Sequence, residues 1–288
     1  AATAANLRRM TKGITMYNDL CHRHAIRRAA PPAAIAILLG WGASCRDAAA
    51  EPHPASARSS VLEAILGDGD PSPEISTAEF QAALRDPTVI VFDARPPEEY
   101  AVSHVPGARN VPGKPNLPPS AYTADITAVL KLAPDRKRRL VLYCNGLHCG
   151  RSKRLAAELR SNGYADVRRY QLGIPAWRAL GGVTQVEKDA LLSLLARDAT
   201  AVLMDAREPT ARPRIANARS IPLRDAAKAK DDGRLPMTDH NTRIFVVGDS
   251  GADARAVAEA IARDAFHNVS FFGGGVAELP ELATRDAP

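Results

Sequence analysis

Two cysteines five residues apart carry the chemistry of this 288-residue chain: Cys144 and Cys149, in Leu140-Val141-Leu142-Tyr143-Cys144-Asn145-Gly146-Leu147-His148-Cys149-Gly150-Arg151-Ser152. Four apolar or aromatic residues read as a buried strand. A thiol follows at the strand's end, then a short Gly-containing loop, and a helical pattern opens at Ser152. A thiol so placed faces backbone N–H groups and the positive end of a helix, both of which stabilise its thiolate. The expected chemistry is nucleophilic attack with a covalent intermediate held on Cys144. The amides of Asn145, Gly146, Leu147, His148 and Gly150, with the Ser152 helix behind them, are placed to receive an anion, and the two glycines let the backbone turn inward.

The neighbouring side chains each have a functional and an ordinary reading. Arg151 holds an anionic substrate or points outward from a first helical turn. His148 acts as a proton donor or charge partner at the pocket mouth, or is an exposed loop histidine. Lys153 adds positive potential at the same rim or serves only solvation. Cys149 has three readings: a resolving thiol that closes a Cys144–Cys149 disulfide, the true nucleophile, or a buried structural cysteine.

Positioning this loop requires a sheet, and the sequence predicts one twice. Residues 51–73 are rich in Pro, Ser, Ala and Gly and read as a linker. Ser76-Thr77-Ala78-Glu79 is a capping-box pattern that opens a helix through Leu84. Thr88 to Asp93 and Lys137 to Tyr143 read as buried strands, Ser152 to Ser161 as a helix with Gly163 at its C-cap, and Val167 to Tyr170 as a further strand. About 110 residues on, Ala201-Val202-Leu203-Met204-Asp205-Ala206-Arg207 echoes Ile90-Val91-Phe92-Asp93-Ala94-Arg95. Arg243 to Gly248 echoes the strand before Cys144, and Val269 to Gly274 echoes Val167 to Gly173. Strands alternating with helices imply parallel sheets covered on both faces, with the ligand at the strands' carboxyl ends. The repeat predicts duplicated domains at 74–183 and 184–288, after an N-terminal segment 1–50 and the linker 51–73.

Composition narrows the class. The chain is 45% hydrophobic, enough for sizeable cores. Its net charge of +6 is concentrated in residues 1–50, which carry seven basic and two acidic residues. The remainder is close to neutral, which gives no reason to expect nucleic acid as a partner. Four cysteines do not make a disulfide scaffold. Arg23, Arg27 and Arg28 precede an apolar run ending in small residues, which reads as an export signal or anchor, with an amphipathic or buried helix as the ordinary alternative. That predicts an exported, periplasmic or membrane-anchored protein, with membrane contact through residues 29–45. Cys21-His22-Arg23-His24 stands without a second ligand cluster, so no metal is expected. No phosphate-binding Gly-rich run follows the first strand of either unit, so no nucleotide cofactor is expected.

Taken with Cys144, three motifs resemble the rhodanese (sulfurtransferase) family. They are Asp93-Ala94-Arg95 with Glu98-Glu99-Tyr100, His104-Val105-Pro106-Gly107-Ala108-Arg109-Asn110, and Gly173-Ile174-Pro175-Ala176-Trp177. The resemblance covers 74–183 strongly and 185–284 more weakly, with Gly248 where the first unit has Cys144. It implies an α/β fold of two rhodanese-like domains, each a mostly parallel sheet flanked by helices, the second lacking the nucleophile. It also implies a persulfide on Cys144, a small anionic sulfur donor of thiosulfate type, and a thiol, cyanide-like or protein acceptor. Asp93 and Arg95 would organise the loops beneath the site. Glu99 would pair with a base such as Arg95 or Arg109, His104 would bond a backbone carbonyl, and Trp177 would close the core. The loop departs from the family in length, with six residues between Cys144 and Arg151 and a second cysteine inside. That spacing also differs from the five residues of the related dual-specificity phosphatases. A dithiol redox or sulfur-carrier protein and a binding or scaffold module are the other readings.

Overall fold

The computed structural model describes residues 74–211 and 213–284. The N-terminal segment 1–50, the linker 51–73 and the Cys21–His24 cluster lie outside them. The first domain runs α1 (Thr77–Arg85), β1 (Ile90–Asp93), α2 (Pro97–Val102), β2 (Arg109–Asn110), α3 (Ile126–Leu132), β3 (Leu140–Tyr143), α4 (Gly150–Ser161), β4 (Val167–Tyr170) and α5 (Gly173–Ala179). The second runs β5 (Thr184–Val186), α6 (Lys188–Arg197), β6 (Val202–Asp205), β7 (Arg219–Ser220), β8 (Ile244–Val247), α7 (Gly251–Ala262) and β9 (Val269–Phe272). The sheet orders are β2-β1-β3-β4 and β5-β9-β8-β6-β7, with every ladder parallel. Each sheet has helices on both faces, as the alternation of strands and helices requires.

The strands are apolar throughout because both faces are buried. In β1 and β3, Ile90, Phe92, Leu140 and Leu142 pack under α4 with Leu155, Ala156 and Leu159. Val91, Val141 and Tyr143 point the other way, against Phe80 of α1 and Trp177 of α5. Phe80 stacks on Tyr170 with ring centroids 4.3 Å apart and meets Trp177 edge-on at 5.6 Å, so Trp177 does close this core. The second domain repeats the division, with Met204, Ile244 and Val246 under α7 and Leu203, Phe245 and Val247 against Leu191 of α6.

Local signals behave as their chemistry requires. The Ser76–Glu79 capping box is formed at α1. Gly163 follows α4 with φ +86, the left-handed turn that glycine adopts at no steric cost. Several starts move: β1 begins at Ile90 rather than Thr88, β3 at Leu140 rather than Lys137, and α4 at Gly150, two residues before the expected Ser152, so that Cys149 becomes its N-cap.

The expectation of membrane contact through residues 29–45, and of an anchored location, is corrected. Among the described residues no helix is long and apolar enough to cross a membrane. The longest, α4 and α7, have 12 residues each, against the roughly 20 that a span needs. Residues 29–45 lie outside the described residues.

Candidate functional site

Cys144 is the first residue beyond β3, at the carboxyl edge of the first sheet, and its residue is 2% exposed. Its partner across the loop is Cys149: the two form a disulfide, with Cα atoms 6.2 Å apart. Of the three readings of Cys149, the buried structural cysteine does not fit, since the residue is half-buried and bonded to Cys144. The loop between them is a closed turn, in which the Cys149 amide donates to the Gly146 carbonyl at 3.0 Å. Gly146 holds φ +102, where a side chain would be strained.

The connection between β4 and α5 clamps this loop from below. The Ile174 amide donates to the Cys144 carbonyl at 3.1 Å, and the Gln171 side-chain amide donates to the Leu147 carbonyl at 2.7 Å. Gly173, with φ +64, lies so close that a Cβ would collide with the Cys144 carbonyl and the Gly146 backbone. Gln171 was not foreseen as part of the site. Its signal in the sequence is a lone polar residue directly after the last strand of the unit, at the same sheet edge as Cys144.

The rim is charged. Glu99 accepts a hydrogen bond from the Asn145 side-chain amide through one oxygen and pairs with Arg151 at 3.4 Å through the other. This differs from the expected partners Arg95 and Arg109. The reason is that α2 carries Glu99 over the loop, while Arg95 is directed downward. The Arg151 guanidinium lies 5.9 Å from the Tyr122 ring centroid. Ser152 is buried in the first turn of α4, whereas Asn145, His148, Gly150 and Lys153 are exposed.

Beneath the rim, Asp93 and Arg95 form a buried bidentate pair, Nε to Oδ1 at 2.9 Å and Nη2 to Oδ2 at 2.6 Å. Arg95 also donates to the Ser103 carbonyl at 2.5 Å. Burial works against the Arg95 charge, but the Asp93 carboxylate more than offsets it and holds the guanidinium pKa above its ordinary value. The Tyr143 hydroxyl accepts the Val105 amide at 3.0 Å. Burial first, and the neighbouring Asp93 charge second, raise that phenol well above its usual pKa, so it stays neutral. Asp93 and Arg95 therefore tie the ends of β1 and α2 together below the loop.

His104 is not in the site. It stands where the two domains meet, its amide donating to the Gln185 carbonyl at 2.9 Å and its carbonyl accepting from Gln185 at 2.8 Å. Its ring stacks on Tyr100 at 3.8 Å, and Nδ1 lies 3.0 Å from the Tyr100 carbonyl. Burial lowers its pKa to about 4. The ring is therefore neutral at pH 7, and the exposed Glu187 carboxylate 3.7 Å away meets no imidazolium.

The second domain builds the same frame around a different loop. Asp205 and Arg207 pair at 3.0 Å, and Arg207 donates to the Pro213 carbonyl. The Val276 amide donates to the Gly248 carbonyl, as Ile174 does to Cys144. Gly248 thus occupies the place of Cys144. Only Gly248, Asp249 and Ser250 separate β8 from α7, and the Ser250 hydroxyl accepts the Asp253 amide as an N-cap. A Cβ at Gly248 would lie 3.1 Å from the Ala254 nitrogen, tighter than ordinary contact.

Comparison with known proteins places this frame. Residues 76–180 and 187–280 each match the rhodanese-like domain. A thiosulfate:glutathione sulfurtransferase of Saccharomyces cerevisiae is 31% identical over 102 residues, covering 34% of this chain and 70% of the yeast protein. An HTH-type transcriptional regulator of Mycobacterium tuberculosis is 34% identical over 113 residues, covering 39% of this chain and 45% of the regulator. A tRNA uridine(34) hydroxylase of Erwinia tasmaniensis is 31% identical over 130 residues, covering 41% of this chain and 34% of the hydroxylase. The chain thus spans less than half the length of the last two. With both of its domains matched, over more than half its length, the chain belongs to the rhodanese-like domain family.

Proposed function

We propose that this chain is a sulfurtransferase that moves sulfane sulfur from a small anionic, thiosulfate-like donor to a thiophilic acceptor through a persulfide on Cys144. The observation that carries the reading is the seat of Cys144: a sulfur at the carboxyl edge of a parallel sheet, facing a 12-residue helix whose N-cap makes no side-chain hydrogen bond. The amides of that first turn favour an anion before and after attack. In the reduced protein the Cys144 thiolate attacks the outer sulfur of the donor. The donor's S–S bond breaks and sulfite leaves with the electron pair. A thiol, cyanide or protein nucleophile then attacks the outer persulfide sulfur, and the Cys144 thiolate is the leaving group. Arg151, released from Glu99, meets the donor's charge, while Asn145, Gly146, Leu147, His148, Gly150 and Ser152 form the loop and helix start around it.

The catalytic domain is residues 74–183 in this reading. Residues 184–288 form a domain without a nucleophile, supported by Gly248 at the place of Cys144 and by the Ser250 cap that fills the helix end. The test is intact mass after reduced protein meets thiosulfate. Cys149→Ser, which keeps Cys144 as the sole loop thiol, should gain one sulfur and Cys144→Ser none; a full gain in Cys144→Ser would overturn the assignment.

One observation favours a second reading. The Cys144–Cys149 bond fits a dithiol redox or sulfur-carrier protein. Rapid reduction by a dithiol protein together with poor turnover of thiosulfate to cyanide would favour it.

A further inference from the structure

We propose that Cys149 discharges the Cys144 persulfide inward, so that the chain releases sulfide and is left with the disulfide that the structure contains. This rests on the sulfur loading proposed above and adds a second outcome for the loaded sulfur. The Cys149 thiolate attacks the inner sulfur of the persulfide, the Sγ of Cys144. The bond between inner and outer sulfur breaks, and the outer sulfur leaves with the electron pair, taking a proton from solvent as hydrosulfide. The sulfane sulfur gains two electrons and the cysteine pair loses them as the Cys144–Cys149 bond forms. A dithiol reductant restores both thiols for another turn.

Three observations support the step. First, the two sulfurs reach bonding distance with β3 and α4 both intact, so closure requires only the five-residue separation between them. An intramolecular thiol held this close competes strongly with any acceptor from solution. Second, Cys149 is the N-cap of α4, the position that Ser250 occupies in the second domain, where its hydroxyl accepts the Asp253 amide at 3.2 Å. A reduced Cys149 has the same amides before it, and a thiolate there is stabilised by the helix end. Third, Cys144 is 2% exposed while Cys149 is half-buried, so the attacking thiol comes from the solvent side of a shielded sulfur.

The experiment uses the full chain, reduced, freed of reductant and given thiosulfate alone. Wild type should release one sulfide per chain, lose both loop thiols and retain no sulfur. Cys149→Ser and Cys149→Ala should keep the sulfur on Cys144 and release sulfide about tenfold more slowly or less, the loss of an intramolecular attack. Adding a dithiol reductant should make wild-type release continue over many turns. The thiol count on wild type needs no variant, so it decides the matter even if a substitution impairs folding. Sulfur retained on wild type, sulfur found on Cys149, or undiminished release from both variants would overturn the inference while leaving sulfur loading in place. Failure of every form to take up sulfur would instead overturn the loading step, and this inference with it.

Discussion

The Ile174 amide donates to the Cys144 carbonyl at 3.1 Å, so the turn entering α5 holds the residue on which the persulfide is proposed to form. Gly173 makes that approach possible. Its φ of +64 and the absence of a Cβ let its backbone lie against both Cys144 and Gly146. Gly173→Ala should push the loop outward and add backbone strain of roughly 1–3 kcal/mol. Two readings are expected together: a fall of about 2–4 °C in Tm for each kcal/mol lost, and a loss of sulfur uptake at Cys144. A variant that melts lower but loads sulfur at the wild-type rate would show that this clamp serves stability alone.

The frame of this fold was legible in the sequence because it rests on periodic burial. Strands buried on both faces leave unbroken apolar runs, and the Asp93-Ala94-Arg95 echo at Asp205-Ala206-Arg207 exposed the duplication. The start of α4 was misplaced by two residues because Gly150 and Arg151 carry no apolar periodicity, so only the hydrogen bonds of the first turn mark it. The partners of Glu99 were not legible for a different reason. They depend on where α2 lies over the loop, a long-range placement that no local spacing encodes. His104 shows the same limit: its neighbours Gln185 and Glu187 lie some 80 residues away in sequence.

The two Asp–Arg pairs offer a matched comparison. The side chains of Asp93 and Arg95 are 0% and 4% exposed, while those of Asp205 and Arg207 are 13% and 3% exposed. Removing one partner of a buried pair leaves an uncompensated charge and costs about 3–5 kcal/mol. Asp93→Asn should approach that loss, and Asp205→Asn should fall short of it because solvent reaches its carboxylate. Denaturant midpoints of the two variants give the order, and an equal or larger loss in Asp205→Asn would contradict it.

In the proposed reaction Glu99 competes with the anionic donor for Arg151. Its carboxylate holds the guanidinium at 3.4 Å, with both side chains about one-third exposed. A pair of this exposure is worth up to roughly 1 kcal/mol, equivalent to about two- to fivefold in affinity. Glu99→Gln should therefore lower the KM for thiosulfate by about that factor and leave kcat nearly unchanged. A raised KM would mean that Glu99 aligns Arg151 for the donor rather than withholding it.

The junction between the domains should weaken in acid through His104. Burial puts its folded pKa at about 4, below the ordinary 6.5. Between those values the unfolded chain binds the proton and the folded chain does not, so acid favours unfolding. The stability concerned is fully present above about pH 6.5 and is lost as pH falls toward 4, about 3 kcal/mol at most. His104→Phe keeps a ring to stack on Tyr100 but cannot take the proton, and it gives up the Nδ1 contact with the Tyr100 carbonyl. The variant should start lower at pH 7 and then lose less between pH 6.5 and 4 than wild type, a difference that denaturant melts across the range isolate from the titration of surface carboxylates. Parallel curves would mean that folding does not lower the His104 pKa, so that the folded ring carries its proton at pH 6 and faces Glu187 at 3.7 Å as an ion-pair partner; Glu187→Gln should then destabilise the junction at pH 6.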